Sequence, residues 1–204
     1  MDLSRANRYG LQGTNCNLVR GGWNLCNYVT FLTVVTFSMI EPPDDQYFMR
    51  EALRRAQKAC EAGEVPVGAV VVLAGKIIGR AHNQVELLKD ATAHAEMLAL
   101  TQAEAAVGDW RLTECDLYVT KEPCAMCAGA LVHTRIRRVI FGCADPAAGA
   151  AGSVVNLLQM PGFNHRCEIA SGVLQDNCAA ILQNFFRQRR GEQTEIQNLK
   201  LEIE

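Results

Sequence analysis

The chain has 204 residues, of which 49% are hydrophobic and 21% are charged, a composition typical of one folded domain with a full core. Its formal net charge of −2 excludes a strongly basic coat, so contact with a nucleic acid requires a local basic patch. The 9 cysteines are an odd number, and the chain is too long for a small disulfide-stapled domain. We therefore expect a reducing, cytoplasmic compartment, in which a close pair of cysteines binds a metal.

Residues 1–40 differ in composition from the rest of the chain. They contain an apolar, Thr-rich run at 28–40, which is shorter than the roughly 20 residues that span a bilayer. We expect residues 1–40 to be either a non-native extension, with translation starting at Met39, or a disordered tail, and we expect no membrane partner. A signal or anchor role is the alternative. We expect residues 41–191 to form the folded domain and residues 192–204 a charged C-terminal tail.

Helical and strand patterns alternate along this expected domain. The first helix is predicted to start in the Pro-Pro-Asp-Asp sequence at 42–45 and to end near Gly63, because Asp caps helix starts and Gly favours helix ends. Further helices are predicted at 92–107, 124–133 and 174–190, and strands at 66–73, 76–81, 116–120, 138–142 and 167–171. Strands that alternate with helices indicate an α/β fold, a three-layer α/β/α sandwich around a central, mostly parallel, five-stranded sheet.

A pair of cysteines at the start of the third predicted helix is the first candidate site. Cys124 and Cys127 are three positions apart, so both thiols lie on one face of one helical turn. The positive end of the helix dipole favours thiolates, and two thiolates make half of a tetrahedral zinc site. Two alternatives remain open: a redox-active C-x-x-C pair, and a structural zinc site completed by Cys115 and Cys143.

A His-x-Glu pattern precedes this pair in the chain. His94 stands 30 positions before Cys124 and offers a third ligand from a different helix. Three protein ligands leave one zinc position open for water, which is the catalytic form of the metal. Glu96 is placed near the metal without binding it, as a proton shuttle is, although a Glu in a first helical turn also stabilises the helix. The joint pattern is the one that zinc-dependent nucleobase deaminases share.

Further stretches of the chain match a known pattern between about residue 47 and residue 190. They lie at 64–70, 82–83, 92–96, 122–130, 133–137, 141–142, 145, 149–153 and 185–190. With these stretches the chain resembles the cytidine/deoxycytidylate deaminase superfamily and, within it, the bacterial tRNA-specific adenosine deaminases. The tail pattern at 185–190 and the Gly-Ala-Ala-Gly-Ser loop at 149–153 point to the tRNA branch.

This resemblance implies a hydrolase with a cytidine-deaminase-like fold that works as a homodimer with one Zn²⁺ per subunit. The zinc would be held by His94, Cys124 and Cys127, with Glu96 moving protons. The enzyme would convert adenosine to inosine at the wobble position of a tRNA anticodon loop. A free nucleobase or nucleoside deaminase, acting on guanine or cytosine, is the alternative on the same scaffold. A structural zinc module that binds RNA without chemistry is the alternative from another class.

The resemblance also assigns contacts to the substrate. Asn83 would face the adenine, and the backbone of Pro66 and Val67 would line the base pocket. Asp145 would lie near the target ribose. The surroundings of Asp145 depart from the family pattern, because alanines and Pro146 stand where basic residues are expected.

The end of the last predicted helix carries a basic and aromatic cluster. It consists of Phe185, Phe186, Arg187, Arg189 and Arg190. Cations beside stacking faces suit unpaired bases and phosphates, and the resemblance implies that this helix end contacts the anticodon loop. The alternative is that the two phenylalanines face the core and that the arginines stabilise the C-terminus of the helix.

Overall fold

The computed structural model describes residues 43–191. The expectations for residues 1–40 and 192–204 fall on segments outside this range. The described elements are the helices α1 (Asp45–Glu61), α2 (Val85–Leu88), α3 (Ala95–Val107), α4 (Ala125–His133) and α5 (Gln175–Arg189), and the strands β1 (Gly68–Leu73), β2 (Lys76–His82), β3 (Cys115–Lys121), β4 (Arg138–Cys143) and β5 (Glu168–Ser171). Within residues 43–191, none of the helices has the length and apolar character of a transmembrane span.

The five strands form one mixed sheet in the order β2-β1-β3-β4-β5. β3, β4 and β5 pair in parallel, whereas β1 is antiparallel to both of its neighbours. Four of the five strands therefore run in the same direction, as predicted, and β1 alone is reversed. The cause is the two-residue turn Ala74-Gly75, whose φ angles of 48° and 74° are those of a tight hairpin turn.

Helices cover both faces of the sheet and confirm the three-layer arrangement. α1 and α5 pack on one face, and α3 and α4 pack on the other. α1 and α3 lie directly on the strands, because a Cβ atom at Gly68 would overlap the carbonyl oxygen of Ala52, and one at Gly79 would overlap that of Ala99. This packing places the N-terminus of α4 just beyond the carboxyl end of β3, where ligands bind in sheets of this kind.

Two local features differ from the predicted elements. α3 begins at Ala95 rather than at residue 92, because Asp90 accepts hydrogen bonds from the backbone N–H and the hydroxyl of Thr92 and holds that residue in a turn. The connection from β4 to β5 spans residues 144–167, and within it the structure has no helix. This loop passes beside the start of α4, where Gly149 forms a β-bridge with Cys124.

Candidate active site

The structure brings His94, Cys124 and Cys127 together at the starts of two helices. His94 and Cys124 occupy the N-cap positions of α3 and α4, and Cys127 lies in the first turn of α4. The Nδ1 atom of His94 is 3.4 Å from the Sγ atom of Cys127 and 3.7 Å from that of Cys124. Tetrahedral zinc with ordinary Zn–N and Zn–S bonds separates such ligand atoms by about 3.6 Å. The donor set and its spacing therefore fit a zinc ion.

The electrostatics of the cluster favour a thiolate at Cys124. Hydrogen bonds from the Cys127 thiol and from His94 lower the pKa of Cys124 to about 3. The same contact with Cys124 raises the pKa of Cys127, and the hydrogen bond to Cys124 raises the pKa of His94. A thiolate is the form of cysteine that binds metals, so the low pKa of Cys124 favours the ligand form of this side chain.

The alternative of a structural site completed by Cys115 and Cys143 is wrong. Among residues 43–191, the single group of metal-binding side chains with suitable spacing is His94, Cys124 and Cys127. Cys115 begins β3 at the end opposite to Cys124, and a strand of this length spans roughly 20 Å. The Cys143 thiol instead donates a hydrogen bond to the carbonyl oxygen of Thr120, at 3.4 Å.

Glu96 lies in the first turn of α3 beside the cluster. Its side chain is buried, with 4% of the residue exposed, and burial raises the pKa of its carboxyl group above the ordinary value. Glu96, His94 and Cys124 line the same pocket, which has a volume of about 260 Å³. A buried carboxyl group that opens into a pocket next to a metal site is placed to accept and donate protons there.

The pocket contains several of the other residues predicted from the sequence. Val67, Asn83, Asp145 and Phe186 line it. Pro66 is buried, and its neighbours Val65 and Val67 form the wall of the pocket instead. The backbone N–H of Asn83 donates to the carbonyl oxygen of Val67 at 3.1 Å, so the end of β2 is tied to this wall.

Glu64 is a buried carboxylate to which the sequence analysis gave no role. It is 2% exposed and accepts hydrogen bonds from the backbone N–H groups of Glu86 and Leu87, at 3.2 and 2.8 Å. Both donors belong to α2, which follows Asn83 closely in the chain. Glu64 therefore fixes the segment that positions Asn83 in the pocket.

Glu122 is a second buried carboxylate without a predicted role. It accepts hydrogen bonds from the backbone N–H groups of Asp145, Ala151 and Ser153 at 2.9–3.0 Å, and from the Ser153 hydroxyl. Burial raises the pKa of Glu122, but these donors outweigh it, and the pKa lies below its ordinary value. The carboxylate thus provides the hydrogen-bond acceptor for three backbone N–H groups of the 144–167 loop. It also holds this loop against the strand that precedes Cys124.

Asp145 forms an ion pair that sequence spacing did not indicate. Its Oδ2 atom lies 2.7 Å from the Nζ atom of Lys121, the last residue of β3. Asp145 is 8% exposed, and both residues line the pocket. The chain thus supplies a basic partner for Asp145 from the neighbouring strand, although the residues that flank Asp145 in the sequence are not basic.

The basic and aromatic cluster at the end of α5 divides into two parts. Phe185 is buried at 6% exposed, as the alternative predicted, whereas Phe186 is 43% exposed and lines the pocket. Arg189 donates to the carbonyl oxygen of Gly63 at 2.7 Å, and its guanidinium lies 5.2 Å from the ring centre of Phe185. Arg187 and Arg190 line a shallow hollow together with Phe186.

Comparison with known proteins gives concordant matches over the described range. The MafB19-like deaminase family matches residues 43–190. The tRNA-specific adenosine deaminase of Bacillus subtilis (strain 168) is 51% identical over 146 residues, which cover 72% of this chain and 91% of that protein. The tRNA-specific adenosine deaminase of Aquifex aeolicus (strain VF5) is 48% identical over 145 residues, covering 71% of this chain and 95% of that protein.

A solved structure agrees with these matches. It comes from work on A-to-I editing by tRNA deaminases at the wobble position of transfer RNA. It superposes with a TM-score of 0.65 at 45% identity and covers 67% of this chain and 99% of its own. With its fold, its His-Cys-Cys cluster and its relatives in agreement, the chain belongs to the family of tRNA-specific adenosine deaminases.

Proposed function

We propose that this protein converts adenosine to inosine at the wobble position of a tRNA anticodon by zinc-dependent hydrolytic deamination. The observation that carries the proposal is the pocket in which His94, Cys124 and buried Glu96 meet. Water is the co-substrate, and the exocyclic amino group leaves as ammonia while a carbonyl oxygen takes its place. The relatives named above supply the substrate class.

One Zn²⁺ per subunit would be held by His94, Cys124 and Cys127. When bound, the zinc supplies a Lewis acid that lowers the pKa of a water molecule. In the metal-free protein, the charge of this site is determined by the thiolate of Cys124 and by the free N–H groups at the start of α4.

Glu96 moves the protons in this proposal. Its carboxylate takes a proton from the attacking water and delivers it to a ring nitrogen of the purine. It then takes the second proton from the hydroxyl group that has been added to the ring carbon and passes it to the amino nitrogen, so that the C–N bond breaks, ammonia leaves and a C=O bond remains. Burial supports this role, because it raises the pKa of the carboxyl group, and a carboxylate with a raised pKa is a stronger base towards water.

The remaining walls of the pocket would receive the base and its sugar. Asn83 offers an amide to the edge of the adenine, the segment at Pro66 and Val67 covers a face of the base, and Asp145 accepts a hydrogen bond from the ribose. Phe186 stands at the same pocket with an exposed ring on which a neighbouring base can stack. An anticodon loop presents its base already unpaired, so little unstacking energy is needed.

The experiment that tests the proposal is incubation of the zinc-loaded protein with total tRNA, followed by nuclease digestion and mass spectrometry of the nucleosides. Inosine should accumulate with the wild-type protein and not with the Glu96→Gln variant. Absence of inosine with the wild-type protein, together with release of ammonia from free guanine or cytosine, would replace this function with that of a free-base deaminase.

We also propose a homodimer, located in the cytoplasm. A hollow beside α4 is lined by Val132 and by the exposed rings of Trp110 and Phe163, which are 49% and 41% exposed and suit an apolar contact with a second copy. The 7 cysteines within residues 43–191 are free thiols, in keeping with a reducing compartment. Light scattering should give a molar mass of twice 22.4 kDa, and a value of 22.4 kDa would exclude the dimer.

A further inference from the structure

Lys121 is the one lysine or arginine among the described residues that line the pocket. The acidic side chains of that lining are Glu96, Glu122 and Asp145, and Cys124 adds a thiol that favours the thiolate form. A polynucleotide that places a base in this pocket also brings the phosphates on either side of that base to its rim. The charge available to meet them at the pocket itself is the ammonium group of Lys121.

The backbone and the side chain of Lys121 are both held in place. The backbone is the last position of β3 and pairs in parallel register with Cys143 of β4. The ammonium group is fixed by the carboxylate of Asp145, with 2.7 Å between Nζ and Oδ2. An ordered cation loses less conformational entropy when it binds an anion than a flexible surface lysine does.

Asp145 is ionised and therefore orients the ammonium group without removing it from solvent. Burial raises the pKa of Asp145, but hydrogen bonds from Lys121 and from the backbone N–H of Ala147 outweigh burial and hold the pKa below its ordinary value. The side chain of Lys121 is 33% exposed, compared with 10% for Asp145. An ammonium group has three N–H donors, so donors remain for a ligand after the ion pair is formed.

We propose that Lys121 binds a backbone phosphate next to the target adenosine and that Asp145 orients it for this contact. The inference rests on the proposed function, because it assumes a polynucleotide in the pocket. The residues 144–152 contain no lysine or arginine, so the part of the β4–β5 loop around Asp145 brings no cation to it. Lys121 supplies this charge from the adjacent strand.

The test is the salt dependence of binding. The Kd of the full-length, zinc-loaded protein for an anticodon stem-loop RNA is measured over a range of salt concentrations for the wild type and for Lys121→Met. Loss of one phosphate contact should raise Kd severalfold at low salt and reduce the slope of log K against log salt by about 0.7 to 0.9. The rate at saturating RNA should change less than Kd, because Lys121 does not move protons in the reaction.

Two further variants make the result specific. Lys121→Arg keeps the charge and should keep the wild-type slope. Lys76→Met removes an exposed lysine at the start of β2, at the opposite end of the sheet, and should also keep the wild-type slope. Zinc analysis of each variant shows whether the metal site is intact.

An unchanged slope in Lys121→Met, with zinc retained, would overturn the inference and leave Lys121 as a partner of Asp145 alone. This outcome is distinct from failure of the proposed function. That failure would appear as an absence of inosine in RNA treated with the wild-type protein, whatever the slope of Lys121→Met.

Discussion

The side chains proposed to bind the metal come from the first residues of two helices. His94 and Cys124 have extended backbone angles, with ψ values of 153° and 174°, which turn the chain into α3 and α4. At such positions the free backbone N–H groups and the helix dipole stabilise a thiolate. The spacing of Cys124 and Cys127 predicted this half of the site, because one helical turn brings residues three apart together.

Replacement of Cys124 by alanine should remove most of the bound zinc, because two protein ligands hold the ion far more weakly than three. The measurement is the zinc content of the purified variant by elemental analysis. Cys60→Ala removes a half-buried thiol outside the cluster and should bind zinc as the wild type does. Zinc at the wild-type level in Cys124→Ala would rule out this assignment of the ligands.

Replacement of Glu96 by glutamine should keep the fold and the zinc but lower the rate of deamination by roughly 10²–10⁴-fold, since proton transfer is lost. Single-turnover kinetics with an anticodon stem-loop and zinc analysis of the same sample separate the two effects. A rate within about tenfold of the wild type would show that Glu96 does not move the protons.

The buried carboxylates Glu64 and Glu122 and the ion pair of Lys121 had no signal in the sequence. The donors to Glu122 lie 23–31 positions away in the chain, and those to Glu64 lie 22–23 positions away. No helical or strand period connects residues at such distances. Their roles depend on which loops the fold brings together, so they emerge only from the three-dimensional structure.

At the scale of the elements, the end of α5 divides into a residue with structural contacts and residues that we propose bind RNA. Arg189 ties the end of α5 to Gly63, close to the segment that forms the pocket wall. Arg187 lies instead in the hollow beside Phe186. The resemblance implied that this helix end contacts the anticodon loop, whereas the hydrogen bond of Arg189 to Gly63 gives that residue a structural contact with another segment.

Arg187→Ala and Arg189→Ala should therefore differ. Arg187→Ala should reduce the slope of log K against log salt for tRNA binding by about 0.7 to 0.9 if Arg187 contacts one phosphate. It should have little effect on the free energy of unfolding. Arg189→Ala should lower the free energy of unfolding by about 1 kcal/mol, because a charged hydrogen bond and a ring contact are lost. Urea unfolding and binding titrations of both variants test this, and equal effects in the two variants would contradict the division.

α1 is tied to the sheet through its first residue. The carboxylate of Asp45 accepts two hydrogen bonds from Arg138, at 2.7 and 3.0 Å, and one from the hydroxyl of Tyr118 at 2.7 Å. Burial raises the pKa of Asp45, but these donors outweigh it, and the pKa lies below its ordinary value. The contacts therefore stabilise the fold fully above the unfolded pKa of about 3.9 and are lost as the pH falls through the lower folded pKa.

Replacement of Asp45 by asparagine should lower the free energy of unfolding by about 1 to 2 kcal/mol at neutral pH. The difference from the wild type should shrink as the pH falls below about 4, where the carboxylate of the unfolded state takes up a proton, and should disappear below the lower pKa of the folded state. Urea unfolding of both proteins at a series of pH values measures this difference in the free energy of unfolding. Asp176→Asn, in the first turn of α5, is the matched control and should show a smaller effect. A difference that persists at low pH would contradict the role of the ionised carboxylate.

At the scale of the whole molecule, the sequence predicted the five strands, the four long helices and the three layers. Hydrophobic periodicity and helix caps carry that information, because both are local. The sequence analysis did not predict that β1 runs antiparallel to the other strands. The two-residue turn Ala74-Gly75 carried that information, because so short a turn joins antiparallel strands. The path of residues 144–167 was also not predicted, because this segment lacks periodicity and is held by Glu122 from another strand.

The proposed function requires that one pocket hold a zinc ion, a proton-transferring carboxyl group and a tRNA wobble adenosine. The most direct test is to map inosine by sequencing tRNA treated with the zinc-loaded protein, since inosine is read as guanosine. We expect conversion at the first anticodon position with the wild-type protein and none with Glu96→Gln. Conversion at other adenosines with the wobble position unchanged, or deamination of free guanine without any inosine in tRNA, would contradict it.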